Sequence, residues 1–249
     1  MPYGSFATVY DELMDDVPYD RWAGWYTGRL RSHGIEDGLV LDLGCGTGEL
    51  TGRLSDQGYD MIGVDASEDM LSEARGKAGG RSILYLQQDM RSFELYGTVR
   101  AVISSCDTMN YLLTEEDLEQ VLRLVRNYLD PGGVFLFDMN TSYKYRELIG
   151  DTTIAETRDD CAFIWENSWF EDEKLNQYDL TLFERGTGGL YRRSHELHTQ
   201  RGWEMPEVRA AAERCGLDWI AAYEDFTMQA AAEERPCGRV VYETAKPLM

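Results

Sequence analysis

Basic residues are scarce in this chain: Lys and Arg number 24 against 45 Asp and Glu over 249 residues, a net charge of −21. Nucleic acid and anionic membrane repel so acidic a surface at long range, so neither is expected as a partner. No apolar run reaches bilayer-spanning length, and Met1 to Asp16 lacks a basic region followed by an apolar core. Signal peptide and membrane span are both argued against. Cysteine is thin too: Cys45, Cys106, Cys161, Cys215 and Cys237 are odd in number, scattered and free of C-x-x-C pairs. That pattern speaks against a disulfide framework and fits a reducing cytoplasm. With three histidines and no His or Cys set at ligand spacing, no metal is expected.

What is present begins at Val40 to Leu50, V-L-D-L-G-C-G-T-G-E-L: an apolar strand, a glycine-rich turn and the opening of a helix. Gly44, Gly46 and Gly48 stand where a chain leaving a strand must bend and let a ligand lie on bare backbone. The spacing is G-x-G-x-G, with Glu49 in the slot where a dinucleotide fingerprint has Gly or Ala. Glu49 and Asp42 would repel a pyrophosphate, which argues against a nicotinamide dehydrogenase and for a ligand carrying positive or neutral groups.

Here the chain resembles the class I S-adenosylmethionine-dependent methyltransferases, in a bacterial small-molecule branch. Their (D/E)-x-G-x-G-x-G motif is filled by Asp42, Gly44, Gly46 and Gly48, with Cys45 inside the loop. The resemblance is good over residues 35–140 and implies an α/β fold: a seven-stranded Rossmann-like sheet in the order 3-2-1-4-5-7-6. Strand two ends at Asp65, 17 residues past Gly48, where an acid accepts from both ribose hydroxyls, with Ala66 beside it. Gln88-Asp89-Met90 closes strand three. The resemblance gives Asp89 the adenine amino group, and a backbone N–H, that of Met90, suits the neighbouring acceptor. Strand four empties into Cys106-Asp107-Thr108-Met109-Asn110-Tyr111-Leu112, similar to the D-S-x-N-Y-L of that branch. Cys106 is expected at the cofactor, and Asp107 or Asn110 at its methionine part or the acceptor.

Residues 1–34 are rich in aromatics, among them Tyr3 and Phe6, and Trp22, Trp25, Tyr26 and Arg29 recur at helical spacing before Gly34. The resemblance makes this stretch a helical lid, with Tyr10 of the Tyr10-Asp11 pair on the cofactor. Between residues 141 and 201 the period falls from 3.6 to 2, which predicts an inserted antiparallel β-sheet. By resemblance it covers the pocket and forms the substrate wall. The expected domains are thus 1–34, 35–140 with 202–249, and 141–201. In the last inserted strand alternation sets Glu196, His198 and Gln200 on one face and His195, Leu197 and Arg201 on the other. If the first face looks inward, His198 is the candidate base; the rival is an edge-strand surface residue.

The function expected is methyl transfer from S-adenosylmethionine to a small-molecule N or O acceptor, by a monomer or homodimer, leaving S-adenosylhomocysteine. An RNA or protein methyltransferase is disfavoured by charge and by S-C-D-T where an N-P-P-Y-like tetrapeptide would follow strand four. A protein that binds S-adenosylmethionine or S-adenosylhomocysteine for regulation, without turnover, is the other rival.

Overall fold

A computed structural model describes residues 7–233 and 235–248; Tyr3 and Phe6 lie outside this range. Two helices, α1 (Ala7–Leu13) and α2 (Tyr19–Ser32), precede β1 (Gly38–Leu43). Then come α3 (Glu49–Asp56), β2 (Tyr59–Asp65), α4 (Glu68–Gly76), β3 (Leu84–Gln87), β4 (Val99–Ser104), α5 (Glu115–Tyr128) and β5 (Leu129–Asn140). Strands β6 (Thr153–Thr157), β7 (Cys161–Phe170), β8 (Leu175–Arg185) and β9 (Tyr191–Arg201) are followed by α6 (Met205–Arg214), β10 (Asp218–Glu224) and β11 (Arg239–Ala245).

Seven strands form one sheet in the order β10-β11-β5-β4-β1-β2-β3. Numbered within that sheet alone, this is the expected 3-2-1-4-5-7-6. β11 alone runs opposite to the other six strands. Side chains alternate across it: Leu41, Leu43 and Val102 pack with α5 and α6 on one face. Val40, Ala101 and Ile103 pack with α2 and α3 on the other. Helix α5 shows how local signals build this core. The Thr114 hydroxyl accepts from the Asp117 amide at 3.1 Å, three acids occupy the first turn, and Leu118, Val121, Leu122 and Val125 are fully buried. Each such side chain contributes about 1.5–3 kcal/mol on burial.

Chain order reverses between β1 and β4, and that edge is where an open α/β sheet gathers ligands. The second sheet, β6-β7-β8-β9, is antiparallel throughout. Leu13 and Val9 of α1 pack on Cys161, Leu180 and Leu182 of this sheet, so α1 joins the insert. Helix α2 instead buries Trp22, Tyr26 and Leu30 in the main core. Pro131-Gly132-Gly133 interrupts β5 rather than preceding it. Leu129 already pairs with Val99, the next pair is Val134 with Ala101, and Gly132 takes φ +79° at the excursion. A π-helical turn at Lys144–Ile149, absent from the sequence expectation, links β5 to β6.

Candidate cofactor and active site

The three loop glycines are needed for three different reasons. A Cβ on Gly44, at φ +79°, would lie 2.2 Å from Thr108 Cγ2, so the loops after β1 and β4 touch only because Gly44 is bare. A Cβ on Gly48 would meet Tyr85 Oη at 2.6 Å, on the side facing β3. At Gly46 the same position is open space. Asp65 binds this loop, its Oδ2 accepting from the Gly46 amide at 2.8 Å and its Oδ1 from the Ser67 amide at 2.9 Å. Asp42 is 2 % exposed, and its Oδ2 accepts from the Thr51 hydroxyl at 2.6 Å. Burial pushes the Asp42 carboxyl up to about 7; the Thr51 bond opposes this and the charge of Asp65 adds to it. Burial also raises Asp65, against amide bonds from Ser67, Gly46 and Ala66.

A cavity of about 320 Å³ opens over this loop. It runs from the end of β3 to the loop after β4, three strand spacings or about 14 Å. Of the residues expected at the cofactor, Tyr10, Asp42, Gly44, Cys45, Gly46, Asp65, Ala66, Gln88, Asp89, Met90 and Cys106 line it. Gly48 does not; it belongs to a cleft on the far side of α3. Three lining residues were missed by the sequence reading and matter to the chemistry: Tyr19, Arg91 and Tyr111. Arg91 holds Asp89 in a fork, Nη2 to Oδ2 at 2.6 Å and Nε to Oδ1 at 3.0 Å, and its hydrogen bonding keeps that carboxyl below the usual carboxylate range.

Helix α1 is clipped to the loop. Asp11 accepts from the Thr47 hydroxyl at 2.6 Å and pairs with Lys77, whose Nζ also reaches Glu49 at 2.8 Å. Burial pushes Glu49 up, but bonds from Lys77 and Arg53 outweigh it and leave it below the usual range. The repulsion expected between Glu49 and an anionic ligand is therefore largely spent on these two cations. The remaining argument against a pyrophosphate is the pair Asp42 and Asp65.

Behind the β4 loop lies a second polar layer, and there the structure places Asp107 and His198, off the cavity lining. Cys106 and Asp107 both adopt positive φ, +57° and +53°. Such backbone costs about 1–2 kcal/mol per non-glycine residue. It is held by Asp138 Oδ2 accepting from the Asp107 amide at 3.1 Å and by Gln200 Nε2 donating to Asp107 Oδ2 at 2.6 Å. Arg239 pairs with Asp138 at 2.6 Å, and burial raises Asp138 against that guanidinium. Asp107 is thus a fixed part of the wall. Asn110, expected at the ligand, instead ties Asn140 to Arg201, donating to both carbonyls at 2.8 and 2.7 Å. His198 is 3 % exposed, so of the two faces that alternation separates, the one carrying Glu196, His198 and Gln200 is the buried one; His195 sits outside with Asp179 at 2.7 Å. His198 Nδ1 lies 2.8 Å from the Tyr111 hydroxyl and Nε2 lies 3.2 Å from Glu196 Oε2. Among the described residues no group of three or more His, Cys, Asp or Glu is placed to hold a metal ion.

A model described as a methyltransferase domain matches residues 40–133. The putative methyltransferase YqeM of Bacillus subtilis (strain 168) is 39% identical over 229 residues, 91% of each chain. The chain belongs to the S-adenosylmethionine-dependent methyltransferases. An S-adenosylmethionine-dependent methyltransferase from Clostridium acetobutylicum ATCC 824 superposes with a TM-score of 0.88 at 27% identity, over 98% of this chain and 99% of that one. The Streptomyces venezuelae dTDP-3-amino-3,4,6-trideoxy-alpha-D-glucopyranose N,N-dimethyltransferase is 34% identical over 109 residues, 44% of this chain and 45% of that one.

The residues fit the cofactor of this methyltransferase family. Gly46 presents bare backbone to the cavity. Asp42, desolvated, has a hydroxyl for its partner and another carboxylate for its charged neighbour, so a cationic ligand supplies what that charge set lacks.

Proposed function

We propose that this methyltransferase acts on the nitrogen of a small molecule enclosed between the cavity and the inserted sheet. The observation that carries the reading is the cavity's end at the β4 loop. Tyr111 lines it there, with the half-buried carboxylate of Asp107, the buried carboxylate of Glu196 and the imidazole of His198 packed behind. An acid-rich, partly dry end suits an amine arriving as its ammonium form. The similarity over 109 residues to an amino-sugar N,N-dimethyltransferase supports the same class. A charge of −21 speaks against RNA as the acceptor.

In this reading Asp65 takes the ribose hydroxyls, Asp89 and the Met90 amide the adenine edge, and the bare loop at Gly46 the methionine part. When bound, the cofactor supplies an already activated sulfonium methyl group. The protein's task is then orientation and exclusion of water, which can supply several powers of ten in rate. The β4 loop and β9 wall fix the acceptor, while α1, clipped through Asp11, closes the cavity beside Tyr10 and Tyr19 as a lid.

Isothermal calorimetry with S-adenosylhomocysteine tests the cofactor half. Asp65→Ala and Asp89→Ala are each expected to weaken binding tenfold or more, and unchanged affinity in both overturns the assignment. Labelled S-adenosylmethionine offered to amines, total RNA and unrelated protein tests the acceptor half. Label entering RNA or protein in preference to the amines overturns it.

A further inference from the structure

Tyr111 is the only member of the Tyr111, His198, Glu196 trio that lines the cavity. The other two sit behind it on one face of β9, as strand alternation requires. As a carboxylate Glu196 can only accept, and in that pairing the proton it shares with His198 is on Nε2. Nδ1 is then bare and accepts from the Tyr111 hydroxyl. The carboxylate therefore fixes both the tautomer and the ring orientation, as in hydrolase triads where a buried acid orients a histidine against a hydroxyl. The titratable groups facing His198 include Tyr111 on the β4 loop, Glu196 on β9 and Tyr178 opposite on β8. Tyr178 is itself engaged with Tyr145. Asp107 stands one side chain further, through Gln200.

We infer that Tyr111, His198 and Glu196 form a proton relay that deprotonates the acceptor, with Tyr111 the catalytic residue and His198 and Glu196 the positioning pair behind it. The inference rests on the amine reading above. An amine that enters as ammonium has no lone pair to offer. Its N–H bond breaks with the electron pair staying on nitrogen, and the proton passes to Tyr111 Oη. As it does so, the phenol O–H breaks and its proton passes to His198 Nδ1. The outcome is a neutral amine, an unchanged phenol and an imidazolium held against Glu196. Neither oxidant nor metal enters the balance. The layout also explains why the base lies off the cavity: a histidine 3 % exposed is kept from solvent, and the phenol carries its basicity 2.8 Å forward to the wall.

Two measurements on the full chain test this. The first needs no acceptor. In histidine-labelled protein saturated with S-adenosylhomocysteine, nitrogen NMR is expected to find His198 protonated on Nε2 and bare on Nδ1. Glu196→Gln is expected to lower the share of the Nε2-protonated tautomer; a proton on Nδ1 in the wild type overturns the relay. The second is a pH–rate profile with 3-amino-3-deoxyglucose and glycine as probe amines. Tyr111→Phe is expected to lower kcat at least 100-fold, the usual reach of general base catalysis, while S-adenosylhomocysteine affinity stays within twofold. Glu196→Gln is expected to move the acid limb of kcat/KM to lower pH, which a merely structural role would not do. A Tyr111→Phe enzyme that keeps half the wild-type kcat on an unmoved limb overturns the inference. If neither amine takes label, the acceptor class proposed above falls, and the nitrogen spectra decide the relay alone.

Discussion

Asp42 sets the stability of this fold against its function, and Asp42→Asn separates the two. In the folded chain burial keeps the proton on Asp42 up to about pH 7, whereas an unfolded chain loses it near pH 4. Between those values the native state binds more protons than the unfolded one. Stability therefore falls as pH rises, and the loss is complete above pH 7. A rise from about 3.9 to about 7 is worth about 4 kcal/mol at most, at about 1.4 kcal/mol per pH unit. Asparagine keeps an oxygen for the Thr51 hydroxyl and carries no charge, so it escapes this cost. Urea unfolding followed by tryptophan fluorescence is expected to show variant and wild type alike near pH 4. The variant's advantage then grows through pH 5–7 and levels at about 2–4 kcal/mol by pH 8. At pH 8 the same substitution is expected to weaken S-adenosylmethionine binding about tenfold, since the desolvated anion that favours a cation is gone. A stability difference flat between pH 5 and pH 8, or a variant less stable than wild type at pH 8, refutes the reasoning.

Two further substitutions probe how the site is built. Gly44→Ala places a Cβ 2.2 Å from Thr108 Cγ2 at φ +79°, which adds backbone strain to overpacking and is expected to cost about 2–5 kcal/mol in a denaturant midpoint. Adding Thr108→Ala is expected to return about 1 kcal/mol or more of that loss. Glu243 is fully buried on β11 and pairs with Arg29 at 2.8 Å and with His33; burial pushes its carboxyl up, but their hydrogen bonds outweigh it and hold it low. Glu243→Ala, which strands the Arg29 guanidinium, is expected to cost about 3–5 kcal/mol at pH 7 in thermal unfolding. The penalty should shrink as pH falls through and below the ordinary carboxylate range, where the wild-type carboxyl also loses its charge.

The main sheet was legible because its strands are short apolar runs closed by Gly44, Asp65, Asp89 and Cys106, and its helices carry caps and stripes such as those of α5. The insert was legible from its period of 2, which grouped His198 with Glu196 and Gln200 on one face but left open whether that face looks inward. What sequence could not give were contacts made across long separations. Nothing near Tyr111 signals that its hydroxyl meets a histidine 87 residues later, and Asn110 reads like a ligand residue until its amide is seen joining β5 to β9. Arg91 was passed over because a charge two residues from Asp89 looks solvated, yet it forks onto that carboxylate. The π-helical turn at Lys144–Ile149 has no period of its own to announce it.

The division of labour along the chain follows from where these contacts fall. The family match spans residues 40–133 and contains the glycine loop, Asp65, Asp89 and the β4 loop, the residues proposed above to hold the cofactor. The groups proposed to enclose the cavity lie outside it: α1 with Tyr10 and Asp11 over the glycine loop, and β9 with Glu196, His198 and Gln200 at the proposed acceptor end. Each reaches back to a residue inside the match, Asp11 to Thr47, His198 to Tyr111 and Gln200 to Asp107. Discrimination among acceptors is a difference in transition-state binding, so it must reside where enzymes sharing the cofactor machinery differ. Changes confined to the inward face of β9 should therefore alter which amine is methylated while leaving S-adenosylhomocysteine affinity in place, because no strand that carries the cofactor loop passes through that sheet.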